Sequence, residues 1–175
     1  MAVRLEPIYL ANVLLFITRD EQIKAFPFVS KNCREAMLSL KVNPGNFIDS
    51  PHDILKYFPN INTMVVWDLS SIEETDTIPD TVTSIIVCGG QFDNLTEKHL
   101  KLADRVVEVE GWYSNFEQLP NFALFPNLER LRFENVPEQF TLPPHKLKRL
   151  TVFCKRGNPD PLTVFPPECS ERIIV

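Results

Sequence analysis

Histidine, cysteine, serine and paired carboxylates are the side chains of this 175-residue chain that could carry catalysis or hold a metal. The histidines His52, His99 and His145 lie far apart in the sequence, and we expect each of them to be a lone surface residue. Neither a Gly-x-Ser-x-Gly elbow nor a His-Glu-x-x-His pair occurs, so two common signatures of hydrolases are missing. The sequence therefore predicts no metal site, no cofactor and no enzymatic activity.

Acidic pairs and cysteines do not suggest a reactive site either. Glu73 and Glu74 adjoin, but neighbouring side chains point apart in a strand, whereas acid–base catalysis needs a facing pair. No Cys-x-x-Cys spacing occurs, which favours reduced, structural thiols in an intracellular protein. The cysteines are Cys33, Cys88, Cys154 and Cys169.

Composition excludes further classes. The chain has 15 prolines and only 5 glycines, and scarce glycine argues against phosphate-cradling loops. A formal net charge of -5 argues against a nucleic-acid-binding role for the whole chain. The apolar run from Ile8 to Ile17 lacks a basic leader and a cleavage site, and it is shorter than the ~20 residues of a membrane span. We therefore expect a cytoplasmic protein, with the nucleus as the alternative compartment.

The elements that must position any functional residue fall into two parts, of which residues 1–44 are predicted to be helical. Apolar residues after Pro7 recur at intervals of three, one and three, which places them on one face of a first helix: Leu10, Val13, Leu14 and Ile17. Asp20 and Ser30 are candidate N-caps of two further helices. Three short helices cannot bury much among themselves, so this segment needs a neighbour.

Residues 50–175 are predicted to form short parallel strands, after a helix capped by Ser50. An apolar-x-x-apolar-x-apolar pattern recurs six times at intervals of 19 to 24 residues, and a proline precedes five of the six occurrences. This period predicts an α/β solenoid of about six irregular repeats, with an irregular all-β domain as the alternative. When successive occurrences of the pattern are aligned, Val87 is equivalent to Gly111 and Leu150 is equivalent to Ile173. The six occurrences begin at Ile61, Val82, Val106, Leu128, Leu147 and Ser170.

These repeats resemble leucine-rich repeats. The stretch Ile78-Pro79-Asp80-Thr81-Val82-Thr83-Ser84-Ile85 is similar to the Ile-Pro-x-x-Val-x-x-Ile core of the irregular, BspA-like subclass. The asparagine that such repeats carry three residues after the last apolar position is missing here. The resemblance implies a non-enzymatic protein that binds other proteins.

The N-terminal segment resembles an F-box. Leu5-Glu6-Pro7 stands for the Leu-Pro opening, Val13-Leu14-Leu15-Phe16-Ile17 for the core of the first helix, and Phe28-Val29-Ser30-Lys31-Asn32-Cys33 for the following turn, with Cys33 in place of a tryptophan. Helical leaders of this kind joined to leucine-rich repeats recur in protozoan proteins. The resemblance implies a substrate-recognition adaptor that docks a Skp1-like subunit of a cullin-type ubiquitin ligase. The implied docking residues are Leu5, Pro7, Leu10, Leu14, Ile17 and Val29. Alternatively, the leader only caps a free-standing repeat protein.

In the repeats, the side chains beside the inward positions are expected to form a partner-binding concave face. Acidic residues dominate before Lys98 and basic residues dominate from Arg130 to Arg156, which predicts a face with one acidic and one basic end. The two tryptophans of this face could instead serve only in packing. The predicted partner-binding residues are Trp67, Ile86, Glu110, Trp112, Arg130, Arg132, Arg149 and Phe153.

The last repeat carries a further expectation about partners. Its apolar residues Ile173, Ile174 and Val175 would expose apolar area at the end of a solenoid. We therefore expect self-association or partner docking through this repeat. The basic end of the face could also bind RNA, although the acidic net charge counts against it.

Overall fold

The structure is a computed structural model, and it describes residues 5–47, 50–73, 75–89, 95–111, 122–134, 147–153 and 171–174. The α-helices are α1 (Pro7–Leu15), α2 (Asp20–Ala25), α3 (Lys31–Ser39), α4 (Pro51–Tyr57) and α5 (Glu97–Ala103). The strands are β1 (Thr63–Val66), β2 (Ser84–Val87), β3 (Val106–Gly111), β4 (Arg130–Glu134), β5 (Arg149–Phe153) and β6 (Glu171–Ile174). Short 3-10 helices span Phe26–Phe28, Leu69–Ser71 and Phe122–Leu124.

The chain divides into two compact units. The first contains Met1–Val66 and Ser71–Ser84, and the second contains Trp67–Ser70 and Ile85–Val175. This division differs from the predicted boundary between residues 44 and 50. The helical leader, α4 and β1 belong to the same unit, because the three leader helices are too small to form a core alone.

Local sequence accounts for the helices of the first unit. The Ser30 side chain caps α3 by accepting a hydrogen bond from the Cys33 backbone N–H at 3.1 Å. Ser50 caps α4 in the same way through the Asp53 backbone N–H at 3.2 Å. The caps predicted at Ser30 and Ser50 are therefore confirmed, and Pro7 begins α1 as expected. The cap predicted at Asp20 is wrong, because Arg19 is the N-cap of α2 and Asp20 is its first helical residue.

Aromatic packing forms the centre of the first unit. Phe47 is fully buried and meets the rings of Tyr57 and Phe58 edge to face, with centroids 5.7 and 5.5 Å apart. Leu14 and Ile23, from α1 and α2, are also fully buried. Since edge-to-face pairs add roughly 0.5–1.5 kcal/mol to the burial of the rings, this cluster is a main source of the unit's stability.

A buried asparagine holds the start of the strand region in the first unit. Val42 forms a parallel bridge with Thr63 of β1. Next to it, the side chain of Asn43 is 1% exposed and bonds Val65 twice, donating to the carbonyl at 3.0 Å and accepting from the N–H at 2.8 Å. It also donates to the Phe47 carbonyl at 2.8 Å. Residues 1–44 were predicted to be helical, so this strand-like role of Asn43 was missed.

The second unit contains a parallel sheet of five strands, with β2 to β6 side by side in chain order. Together with the helices, this confirms the α/β class and the parallel strands that were predicted from the repeat pattern. One face of the sheet is buried through Val87, Val109, Leu131 and Leu150. The opposite face, called the outward sheet face below, carries the residues between these positions.

The strand register agrees with the sequence alignment in the middle of the sheet and differs at both ends. Val109 pairs with Leu131, and Leu131 pairs with Leu150, as predicted. Val87 pairs with Val109 and not with Gly111, and the register of β2 is irregular between Ile85 and Ile86. At the other end, Leu150 pairs with Arg172 and not with Ile173. The predicted alignments of these two strands were therefore wrong by two residues and by one.

We expect Asn43→Ala to lower the free energy of unfolding by about 3 kcal/mol, because it leaves three buried backbone groups without partners. Chemical denaturation monitored by circular dichroism measures this loss. Asn12→Ala, at an exposed position of α1, is the matched control and should change stability by less than about 0.7 kcal/mol. Equal effects of the two substitutions would contradict the role given to Asn43.

Candidate functional site: the outward sheet face and the exposed helical surface

Alternation along the strands places charged residues on the outward sheet face. Glu108 and Glu110 of β3 flank the buried Val109, and Arg130 and Arg132 of β4 flank the buried Leu131. The register sets Glu108 beside Arg130 and Glu110 beside Arg132. Cross-strand neighbours on one face are the closest side-chain pairs in a sheet, so these charges must interact.

Both pairs form ion pairs. The Arg130 Nε atom lies 2.6 Å from Glu108 Oε2, and the Arg132 Nη1 atom lies 3.2 Å from Glu110 Oε1. The four side chains are partly exposed, so each pair stabilises the fold by only about 1 kcal/mol. Their main effect is to fix the positions and directions of the two guanidinium groups.

These pairs correct the predicted separation of charge. Arg130 and Arg132 were expected to belong to a basic end of the face, yet each lies beside a carboxylate of the neighbouring strand. Lys148 likewise contacts Glu129 at 2.6 Å. Each of these three cations thus lies beside a carboxylate of the neighbouring strand, which the sequence could not reveal because the partners lie 22 or 19 residues apart.

Arg149 adds a further positive charge to this face. It is exposed, and the register sets it directly beside Arg130. Thr151 lies beside Arg132 in the next row. Of the predicted partner-binding residues, Glu110, Arg130, Arg132 and Arg149 therefore lie together on the outward sheet face.

Cys88 directly follows β2, and its thiol interacts electrostatically with charged side chains of the two ion pairs. Burial, and after it the carboxylates of Glu110 and Glu108, raise the pKa of the Cys88 thiol from 9.0 to about 12, while Arg132 acts in the opposite direction. At neutral pH this thiol is therefore protonated and a poor nucleophile. This agrees with the structural role that the cysteine spacing favoured.

The other predicted members of the face occupy different environments. Ile86 is half-buried and pairs in register with Glu108. Trp67 is 46% exposed, and its ring lies against Gly89, where an added Cβ would come within 3.1 Å of the indole. Trp67 is thus partly a packing residue and partly accessible. Phe153 ends β5 in register with Glu134, and Trp112 lies outside the described residues.

A second candidate surface lies on the helical leader. Seven large apolar side chains of this segment are at least half exposed, with Phe16 at 84% and Phe28 at 86%. Together they present roughly 800 Å² of mostly apolar area, taking about 150–250 Å² for each large side chain. We call this the exposed helical surface. Its members are Leu5, Ile8, Tyr9, Val13, Phe16, Phe28 and Val29.

The two ends of this surface are held together by packing and by a hydrogen bond. Helix α1 packs against α3. The Asn32 side chain, in the first turn of α3, donates to the Leu5 carbonyl at 2.8 Å. This bond brings the start of α1 close to the segment that follows Phe28 and Val29.

The predicted docking residues divide between the two sides of α1. Leu5 and Val29 are exposed and belong to the exposed helical surface, and Pro7 is half-buried beside it. Leu14 is fully buried, so it cannot meet a partner without unfolding, and Leu10 and Ile17 are half-buried. Of the apolar face chosen from the sequence, Leu10, Leu14 and Ile17 therefore lie on the inner side of α1, whereas Val13 is exposed. Apolar residues lie on both sides of this segment, and the spacing pattern identified only one of the two sides. Ile8, Tyr9 and Phe16 lie on the other side and were therefore missed.

The histidines offer one correction. His52 is exposed as predicted, but His99 is only 5% exposed. Its Nδ1 atom accepts a hydrogen bond from the Thr96 backbone N–H at 3.0 Å and so completes the capping box of α5. His145 lies outside the described residues. Within the described ranges, no group of three or more His, Cys, Asp or Glu residues is placed to hold a metal ion.

We expect the Cys88 thiol to react with iodoacetamide on the order of 10³-fold more slowly at pH 8 than the same cysteine in the unfolded chain, because the thiolate is the nucleophile. Peptide mass spectrometry identifies the modified cysteine. Glu110→Gln should lower the pKa of Cys88 and raise this rate several-fold, whereas Glu129→Gln should not. Equal rates in the two variants would contradict the role of Glu110.

The same pKa shift predicts a loss of stability at high pH. Between pH 9 and about 12 the unfolded chain gives up the Cys88 proton while the folded chain keeps it. The free energy of unfolding should therefore fall as the pH rises above 9, and it should fall less in Cys88→Ser. Urea titrations at pH 8, 9 and 10 measure the difference, and parallel pH profiles of the two proteins would contradict the prediction.

No helix in the described part of the chain is both long enough and apolar enough to cross a membrane. Comparisons of this chain with models of protein families, with curated proteins and with solved structures find no match. The function of the two surfaces must therefore be inferred from their own contacts, burial and charges.

Proposed function

We propose that this protein is a non-enzymatic protein–protein interaction module whose helical leader binds a Skp1-like adaptor of a cullin-type ubiquitin ligase. The observation that carries the proposal is the exposed helical surface. Seven large apolar side chains of one short segment are at least half exposed, and apolar side chains grouped in this way on a surface mark sites of protein–protein interaction.

The position of this surface agrees with the F-box resemblance. The resemblance assigns docking to the Leu-Pro opening and to the turn after the second helix. Leu5, Phe28 and Val29 stand at those places and are exposed, at 54%, 86% and 73%. Apolar side chains this exposed contribute little burial to the fold of the chain itself. Their presence at these positions is best explained by a partner protein that covers them.

The target-binding part of the proposed adaptor is a leucine-rich-repeat solenoid. Repeated hydrogen bonds support this finer assignment of the fold. Asn60 donates to the Leu38 carbonyl at 2.8 Å and Asn127 donates to the Asp104 carbonyl at 2.7 Å, each from the position that follows a Phe-Pro pair. The first bond joins the start of the first repeat to α3 of the leader, and the second joins the third and fourth repeats, so asparagines at equivalent positions make similar links although the asparagine ladder is missing.

The backbone repeats the same linkage between strands. Glu129 N–H donates to the Val107 carbonyl at 2.9 Å, and Lys148 N–H donates to the Glu129 carbonyl at 2.8 Å. Each link spans 19 to 22 residues, which is the spacing of one repeat. A chain that stacks units of this size builds an extended surface for a partner.

The alternative is a free-standing repeat protein whose leader only caps the solenoid. The bridge between Val42 and Thr63 and the bonds from the N–H groups of Asn62 and Thr63 to the Lys41 carbonyl favour it, because they join the end of the leader to β1. The alternative leaves the outer face of α1 without a role. The two functions therefore differ in what they predict for substitutions on that outer face.

The test is the double substitution Phe16→Lys and Phe28→Lys. Both side chains are exposed, so the fold should keep its stability within about 1 kcal/mol. Binding to a Skp1-like adaptor, measured by isothermal titration calorimetry, should weaken at least a hundredfold, since buried aromatic anchors contribute about 2 kcal/mol or more each.

The matched control is Leu100→Lys and Leu124→Lys. These residues of the second unit are 43% and 37% exposed, and they lie outside the exposed helical surface. Adaptor binding by this control should equal that of the unmodified protein. If the unmodified protein does not bind the adaptor, the proposal is wrong and the capping alternative takes its place.

A further inference from the structure

Helix α1 carries one side-chain amide in the middle of its exposed apolar side. Asn12 is exposed, and it lies four residues after Ile8 and four residues before Phe16. Ile8 and Phe16 are themselves 66% and 84% exposed, and Tyr9, three residues before Asn12, is 60% exposed. Side chains three or four residues apart are neighbours on the surface of a helix. Asn12 therefore has members of the exposed helical surface on both sides of it along the helix.

The fold of the chain makes little use of this amide. Within the part of the chain that the structure describes, the Asn12 side chain has no hydrogen-bond partner. The inner side of α1 is formed by other residues, among them the buried Ala11 and Leu14. Asparagine is also a poorer helix former than alanine or leucine. Both the donor and the acceptor of the Asn12 amide are therefore available to another molecule.

We propose that Asn12 determines the specificity of the exposed helical surface by pairing with a backbone peptide group or a side-chain amide of the adaptor, an inference that rests on the proposed function. A partner that covers Ile8 and Phe16 must also cover Asn12, which lies between them. An amide that loses its water in this way weakens binding unless the partner supplies new hydrogen bonds. Peptide groups and side-chain amides offer both the donor and the acceptor that asparagine requires.

This pairing would let an otherwise apolar surface distinguish between partners. Apolar side chains accept any apolar surface of suitable shape, because their attraction has no direction. The Asn12 amide adds a requirement that most apolar surfaces do not meet, so it selects against them. Asn12 thus gives the exposed helical surface a specificity that Ile8, Tyr9 and Phe16 alone do not provide.

The decisive variant is Asn12→Leu, because the two ways of docking predict opposite effects. If docking were purely apolar, one more apolar side chain in this place would tighten adaptor binding. If Asn12 pairs with the adaptor, the leucine leaves a donor and an acceptor of the adaptor without partners, and binding should weaken about tenfold. Isothermal titration calorimetry with the Skp1-like adaptor measures the change. Unchanged or tighter binding of Asn12→Leu would overturn the proposal.

The matched control is Gln22→Leu. Gln22 is an exposed amide residue of α2, and it does not belong to the exposed helical surface. This variant should keep the affinity of the unmodified protein. Chemical denaturation should show that both variants are as stable as the unmodified protein within the error of the measurement, since both positions are exposed. Equal weakening of adaptor binding by the two variants would also overturn the proposal.

The amide signals of Asn12 give a direct measurement of the pairing. In the free protein, the two Nδ2 protons of Asn12 are exposed and should exchange rapidly with water. In the complex, NMR should show that their signals shift and that their exchange slows at least tenfold, which a merely structural role of Asn12 would not produce. Signals that remain unchanged in the complex would contradict a contact with the adaptor.

The failure of this proposal differs from the failure of the proposed function. If the adaptor binds the unmodified protein and Asn12→Leu equally well, the adaptor role stands and the role of Asn12 is wrong. If the adaptor does not bind the unmodified protein, the proposed function is wrong and the role of Asn12 falls with it.

Discussion

The short length of the strands is the constraint on which the functional surfaces of this protein depend. A strand of four to six residues has only two or three side chains on each face, so each strand of the second unit buries only a few residues. The residues between them are directed to the outward sheet face. Parallel pairing in chain order then places the outward residues of consecutive repeats in rows. The charged rows of this protein follow from that arrangement.

Those rows also explain which part of the site could be predicted from the sequence. The alternation of apolar and polar residues was sufficient to identify Glu110, Arg130, Arg132 and Arg149 as outward positions. It could not identify the partners of these residues, because an ion pair across two strands depends on register. The apolar pattern predicted the register correctly from β3 to β5 but not at β2 or β6, where backbone pairing departs from the alignment of apolar residues.

The helical leader illustrates a different limit of sequence analysis. Caps such as Ser30 and Ser50 are local, so they were predicted correctly from a few neighbouring residues. The accessible face of α1 is not local, because Leu14 and Phe16 are equally apolar and only the packing of α3 decides which of them is buried. Buried polar residues were missed for a related reason. The side chain of Asn43 bonds Val65, 22 residues away, so no local signal showed that its polar atoms are satisfied. The partner of His99 is local, since Thr96 lies three residues earlier, but the burial of its ring is not.

Asn43 also has a consequence for the behaviour of the protein in solution. A side-chain amide has the same donor and acceptor groups as a peptide bond, and Asn43 presents them to Val65 as a neighbouring strand would. The adjacent backbone is paired too, since the N–H groups of Asn62 and Thr63 donate to the Lys41 carbonyl. This side of β1 is therefore no template for a strand from another molecule. The Asn43 side chain thus helps to prevent this edge of β1 from pairing with a strand of another molecule and so from causing aggregation.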